Sequence, residues 1–284
     1  MKKFKIFILA VSAGFLIFQS CDKVTPPYKS GSSSNDTNTK VRKVLLEDYT
    51  GHKCPNCPAG AKTAHDLKTV YGEKLIILSV HAGFYSTPDA TGDFTYDFRS
   101  AEGTAWDNFF GIGTLGNPNG MVNRKGYNTT HIIGPTGWGT AVSGIINNEP
   151  DAYIELTPTY NSGTRQLDVE LDAEFLSILN GTYMISVVVT EDSIVKPQKN
   201  SDPNIGTTPT ITNYVHRDVL RGSFNGTWGD TLVSGTTANG QHVVKNFSMI
   251  LNSGWNENHI SIVAFIYRKS DYEVIQAEER KAIP

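Results

Sequence analysis

The chain has 284 residues, with 25 basic and 28 acidic side chains and a formal charge of −3. An acidic balance without any Lys/Arg block excludes nucleic acid as a partner and argues against electrostatic capture by an anionic lipid surface. The length exceeds one small domain and suits two.

The chain opens with Lys2, Lys3 and Lys5, followed by an apolar stretch from Ile6 to Phe18 and then Gln19, Ser20 and Cys21. A cationic start, a short apolar core and a small residue before the cut describe a signal peptide over residues 1–20. The run is too short to span a bilayer as a helix, which needs ~20 apolar residues. Ser20 before Cys21 points to lipoprotein processing, with a lipid on Cys21 as the membrane anchor. The other reading is an ordinary signal peptide with an incidental cysteine. Residues 21–40 are rich in Ser, Asn, Thr, Pro and Gly and lack apolar periodicity, so they read as a flexible tether. Without the three leader lysines the balance becomes −6. Once Cys21 carries lipid, Cys54 and Cys57 are the pair that remains, either a structural bridge or a redox pair.

A thioredoxin-like α/β domain is expected over 41–149. Residues 43–49 read as a buried strand, Pro58 to Tyr71 as a helix stopped by Gly72, and Leu75–Val80 as a strand covered on both faces. The order strand, CxxC, helix, strand places Cys54-Pro55-Asn56-Cys57 where a helix N-terminus stabilises a thiolate. Either Pro55 or Pro58 can be the first helical residue. Asp48, six residues before Cys54, stands where thioredoxins keep a proton-transferring acid. Pro118, after Asn117 and before the expected strand Gly120–Arg124, resembles the proline loop that faces the cysteines in that fold. Residues 139–147 are the expected closing helix, and 83–107 a long insertion above the site. Lys53 replaces the thioredoxin Trp, and Pro-Asn stands between the cysteines. No cofactor motif is visible. Zinc on the cysteines with His52, His65 or His81 is the weaker alternative, because no second C-x-x-C or H-x-H spacing exists.

Residues 150–284 turn to strands, expected at 153–157, 166–174, 182–190, 214–221, 242–251, 259–267 and 273–278. Turn residues such as Asn161-Ser162-Gly163 and Asn180-Gly181 separate them, which suggests an all-β immunoglobulin-like sandwich. Within 214–221, strand alternation puts His216 and Asp218 on one side and Arg217 on the other, read as a polar sheet face or an interdomain contact. Trp228 and Trp255 read as loop-anchoring aromatics, the other reading being a carbohydrate or protein contact.

Glu47-Asp48-Tyr49-Thr50-Gly51, Cys54-Pro55-Asn56-Cys57-Pro58, Asn117-Pro118-Asn119-Gly120-Met121-Val122-Asn123-Arg124, Val188-Val189-Thr190-Glu191-Asp192, Tyr214–Arg221 and Ile262–Tyr267 together resemble an outer-membrane lipoprotein family. That family occurs in Bacteroides and Porphyromonas and takes its name from a twenty-eight-kilodalton founder. The resemblance implies a lipid-anchored outer-membrane protein facing the periplasm or the cell surface, with adhesin or receptor roles. Two functions stand beside each other. One is thiol–disulfide exchange on exported proteins, with Cys54 attacking, Cys57 resolving, Asp48 moving a proton and Pro118 positioning the substrate. The other is a binding or adhesion lipoprotein, with a surface ligand as partner, in which Cys54–Cys57 is a structural staple.

Overall fold

The computed structural model describes residues 40–283, so Cys21, the leader and most of the tether lie outside the described residues. Strand β1 (Val44–Thr50) and strand β2 (Leu75–His81) are buried along their whole length and pair in parallel, Asp48 opposite Ser79. Helix α1 (Cys57–Tyr71) joins them and ends at Gly72, whose φ of 58° suits a residue without a Cβ,. The insertion carries a 3-10 turn at Phe84–Ser86 and helix α2 (Ala101–Phe110), which Ser100 caps by accepting the Gly103 N–H at 3.0 Å,. Strand β3 (Asn119–Val122) runs antiparallel on the free side of β1. Gly120 permits this approach, since a Cβ there would sit 2.5 Å from the Glu47 carbonyl oxygen. Helix α3 (Pro135–Ser143) packs beside α1 over the face formed by Val44, Leu46, Leu75 and Ile77.

Ten strands follow: β4 (Ala152–Asn161), β5 (Gln166–Phe175), β6 (Asn180–Glu191), β7 (Ile194–Lys199), β8 (Thr210–His216), β9 (Val219–Ser223), β10 (Asp230–Thr236), β11 (Gln241–Ile250), β12 (Ile260–Arg268) and β13 (Val274–Lys281). The fold is mixed α/β and mostly strand. Three sheets form among the described residues: an eight-stranded one in the order β13-β12-β6-β9-β2-β1-β3 with β10 on β6, a three-stranded β11-β5-β4, and the hairpin β7-β8.

The change of pattern near residue 150 is visible in the elements, but the sheets do not divide there. Strand β9 bridges β2 at Ser79–Val219 and pairs with β6, so strands from both halves share one sheet. Alternation within β6 explains how. Ile185, Val187 and Val189 face the core under β4, β5 and β11, while Met184 and Val188 face the core shared with Ile76, Leu78 and Trp106,. Residues 40–283 accordingly form one compact unit.

Several local expectations shift. The expected strand at 120–124 stops at Val122, because Asn123 and Arg124 adopt φ of 50° and 53°. The expected closing helix begins at Pro135, four residues early, and Ile145 and Ile146 pack beyond its end. The expected strand 214–221 is two strands broken at Asp218, whose φ of 52° turns the chain from β8 into β9.

Candidate functional site

The face of β1 and β2 that meets α1 is apolar at its N-terminal end and polar at its C-terminal end. Leu46 and Ile77 give way to Asp48, Thr50, Ser79 and His81, which point the same way by alternation,. The carboxyl ends of parallel strands are where open α/β sheets place their sites, and the CxxC lies directly above. Asn56 is the N-cap of α1 and Cys57 its first residue, with Pro58 in the first turn and no acidic side chain there. Neither proline is therefore the first helical residue. Cys54 precedes the helix in a turn closed by its N–H to the Gly51 carbonyl at 2.9 Å. The two cysteines form a disulfide with Cα atoms 5.4 Å apart, and each is 1% exposed.

Pro118, after a cis Asn117-Pro118 bond, sits against this loop. The Asn117 carbonyl lies 3.5 Å from Cys54 Sγ, and a Cβ on Gly60 would come within 2.8 Å of Pro118 Cβ. The small Gly60 thus lets the proline loop reach helix α1. The insertion covers the other side. Lys53 donates its N–H to the Tyr85 carbonyl, Ser86 Oγ donates to the Thr50 carbonyl, and Phe94 stacks on His52.

A third wall was invisible to sequence reasoning. The hairpin β7-β8 and its loop clamp the CxxC from more than 140 residues away. Lys199 N–H donates to His52 O at 2.8 Å, Gln198 Nε2 to Cys54 O at 2.9 Å, and Ser201 N–H to Pro55 O at 2.9 Å. Ser201 Oγ also donates to Asn56 Oδ1 at 2.7 Å, so the N-cap side chain is engaged by the hairpin rather than by its own helix.

Beneath Cys57 lies a cavity of about 250 Å³ lined by Asp48, His81, Tyr214 and His216, with Lys62, His65 and Arg217 further along it. Asp48 is 1% exposed, and neither carboxyl oxygen has a hydrogen-bond partner among the described residues. Burial raises its pKa to about 7 and pushes His216 down to about 3,. Burial also holds His81 well below its usual value and lifts Tyr214 to about 12, with the nearby Asp48 adding to the latter. The rings of His81, His216 and His52 surround Phe98, at 4.5, 4.3 and 5.4 Å between centroids. His216 was legible only as one face of a strand; its burial against Phe98 depends on the insertion. Among the described residues, no three His, Cys, Asp or Glu side chains converge as a metal set.

The opposite face of the sheet is structural in character. Glu47 and Arg124, both buried, form a two-armed ion pair at 2.7 and 2.8 Å. The guanidinium lies among Trp106, Phe110 and Phe265 at 4.9–5.0 Å from their ring centres. Trp228 joins an aromatic group with Phe109 and Tyr272, and Trp255 stacks near Arg221. No helix among the described residues is long and apolar enough to cross a membrane.

No curated protein matches the chain. Among solved structures, HBP35 of Porphyromonas gingivalis superposes with a TM-score of 0.60 at 19% identity, over 86% of this chain and 76% of that one. Protein AGR_C_4864 from Agrobacterium tumefaciens gives 0.50 at 10% identity, over 86% and 96%. A domain of the outer membrane lipoprotein Omp28 from Porphyromonas gingivalis gives 0.32 at 22% identity, over 46% and 88%. At such identities the first two likenesses speak to fold alone. Residues 104–283 match the family model described as outer membrane protein Omp28. That match spans more than half of the sequence, and the chain belongs to the Omp28 family of outer membrane proteins.

Proposed function

We propose that this outer-membrane-family protein is held by a lipid on Cys21 and exchanges disulfides with exported proteins through a thioredoxin-like site. The observation that carries the reading is Asp48, an acid without a hydrogen-bond partner among the described residues, buried in the cavity that Cys57 also lines. An unpaired buried acid lowers stability, and a disulfide that only staples a loop gains nothing from it. With a pKa near 7, Asp48 can take and return the Cys57 proton at neutral pH,. Further support comes from the β1–α1–β2 unit, the antiparallel β3 behind Pro118, and the Asn117 carbonyl at Cys54 Sγ. In this reading Cys54 attacks, Cys57 resolves, and the Pro118 loop aligns the substrate backbone. The lipid on Cys21 rests on the leader pattern and on the family's membrane association.

A second reading is favoured by one observation: both cysteines are covered and the hairpin clamps their loop. A structural disulfide in a surface-binding lipoprotein accounts for that directly. Trapping separates the two. Cys57→Ser should accumulate mixed disulfides between Cys54 and exported proteins in membrane preparations, and Cys54→Ser should not. Equal absence of adducts from both variants favours the staple.

A further inference from the structure

The cavity beneath Cys57 has a shape and a lining that exchange at Cys54–Cys57 does not by itself explain. It runs along α1: Cys57, Ala61 and His65 line it at intervals of four, so they share one helix face,. Eight residues at 1.5 Å each put His65 about 12 Å from Cys57 along the helix. Its floor is Asp48 and Thr50 from β1 with Ser79 and His81 from β2, and its roof is Tyr214 and His216 from β8. Three kinds of buried polar atom in this region, the Asp48 carboxyl oxygens, His81 Nδ1 and His216 Nε2, have no hydrogen-bond partner among the described residues. A polar space of about 250 Å³ with such atoms has the room and the partners that bound waters require,.

The far end differs from the near end. Lys62 is paired with Asp66 at 2.6 Å and Arg217 with Asp192 at 3.3 Å. His65 is about one-third exposed, and its Nε2 lies 3.7 Å from Asp218 Oδ2. It is the cavity-lining group at that end whose ordinary titration range falls near neutrality, and burial, with Arg217 beside it, holds it below that range,. The imidazoles of His81 and His216 are too deeply buried to carry charge, which leaves them as hydrogen-bonding walls,. The remaining groups lining the cavity near Asp48 are the Cys57 sulfur from α1 and the Tyr214 phenol from β8; Glu47 of β1 points away, into its pair with Arg124.

We propose that this cavity is a hydrated proton conduit from Asp48 to solvent, with His65 as its outer proton-exchanging residue. The inference rests on the exchange reading above. In the resolving step the Cys57 S–H gives its proton to the Asp48 carboxylate, and the thiolate attacks Cys54 Sγ of the mixed disulfide. The Cys54–Cys57 bond forms as the bond from Cys54 to the substrate sulfur breaks. That sulfur leaves with the electron pair and is protonated from solvent. The dithiol has then given two electrons to the substrate disulfide, and Asp48 returns its proton through the waters to His65 Nε2 and outward. His65 touches no reacting atom and is a positioning residue for the proton.

The test is the steady-state turnover of the full mature chain with a model disulfide substrate, in which Asp48 must shed its proton in every cycle, measured in weak buffer and again with added imidazole. His65→Gln should slow turnover roughly tenfold in weak buffer, less than the ~10²–10⁴-fold of a group that transfers the reacting proton directly. Imidazole, a mobile proton carrier, should restore it. Ala61→Leu, which fills the duct between its two ends, should give a similar loss that imidazole does not restore. An unchanged rate in His65→Gln, or a loss that imidazole leaves untouched, overturns the conduit while exchange itself stands. Absence of exchange in the wild-type protein overturns both readings.

Discussion

Replacing Asp48 with Asn tests the electrostatics of the site without touching a cysteine. The side chain keeps its shape, so the change removes one ionisation from a fully buried position. Burial raises the Asp48 pKa from 3.8 to about 7, so the folded state holds the proton more tightly than the unfolded chain does,. The sign follows from linkage. Below pH 3.8 both states are protonated and Asp48 has no pH-dependent effect. Between 3.8 and 7 the unfolded state sheds its proton first, so stability falls as pH rises. Above 7 both have lost it, and the full cost is present. Slightly more than three pH decades at about 1.4 kcal/mol each give a cost on the order of 4 kcal/mol. Asp48→Asn should therefore gain on the wild type by about 1.4 kcal/mol per pH unit between pH 4 and 7, then level off. Urea unfolding of both oxidised proteins from pH 4 to 8.5 reads this gap directly. Taking the difference cancels Asp218, whose pKa burial also raises to about 7. A gap that stays flat across that range would refute the reasoning, because it would mean that Asp48 titrates as an exposed carboxyl does.

Arg124→Met should destabilise the fold by about 3–5 kcal/mol, because it strands the Glu47 carboxylate in a dry core; Glu47→Leu in the same chain should recover much of it,. Thermal melts of the single and double variants check this. Gly60→Ala drives a Cβ to 2.8 Å from Pro118 and should cost about 1–3 kcal/mol in chemical denaturation while slowing exchange,. Gln198→Ala removes the donor that binds the Cys54 and Gly51 carbonyls, so the disulfide should be reduced several-fold faster by a small phosphine. An unchanged reduction rate there would show that the hairpin does not guard the sulfurs.

The parts of the fold written in local pattern were legible. The expected strands at 43–49 and 75–80, a periodic helix between them, and Gly72 as its stop rest on short-range signals, and each lies within a residue or two of the element observed. Asp48, Cys54, Cys57 and Pro118 do come together, because β1 carries the acid, α1 starts at Cys57 and β3 begins just after the proline. What the pattern hid was long-range. Strands β7 and β10 are short and partly polar, so alternation does not distinguish them from loops. The merging of both halves into one sheet rests on β9, whose bridge to β2 is a single residue pair. The Gln198–Ser201 clamp is made of backbone and amide hydrogen bonds between segments far apart in sequence, which leave no mark on composition. Tyr214 and His216 stood on one face of a strand, yet only the packing of β8 over α1 turns that face into the roof of a cavity.

The central claim is that Cys54–Cys57 turns over. Reductant-driven reduction of a protein disulfide by catalytic amounts of the mature chain tests it most directly, with the reduction potential of the pair measured alongside. Many turnovers per molecule, lost in Cys54→Ser and slowed by Asp48→Asn, with a potential above about −300 mV, is the result predicted here. No turnover together with a potential below about −300 mV would contradict it and leave the pair a structural bridge.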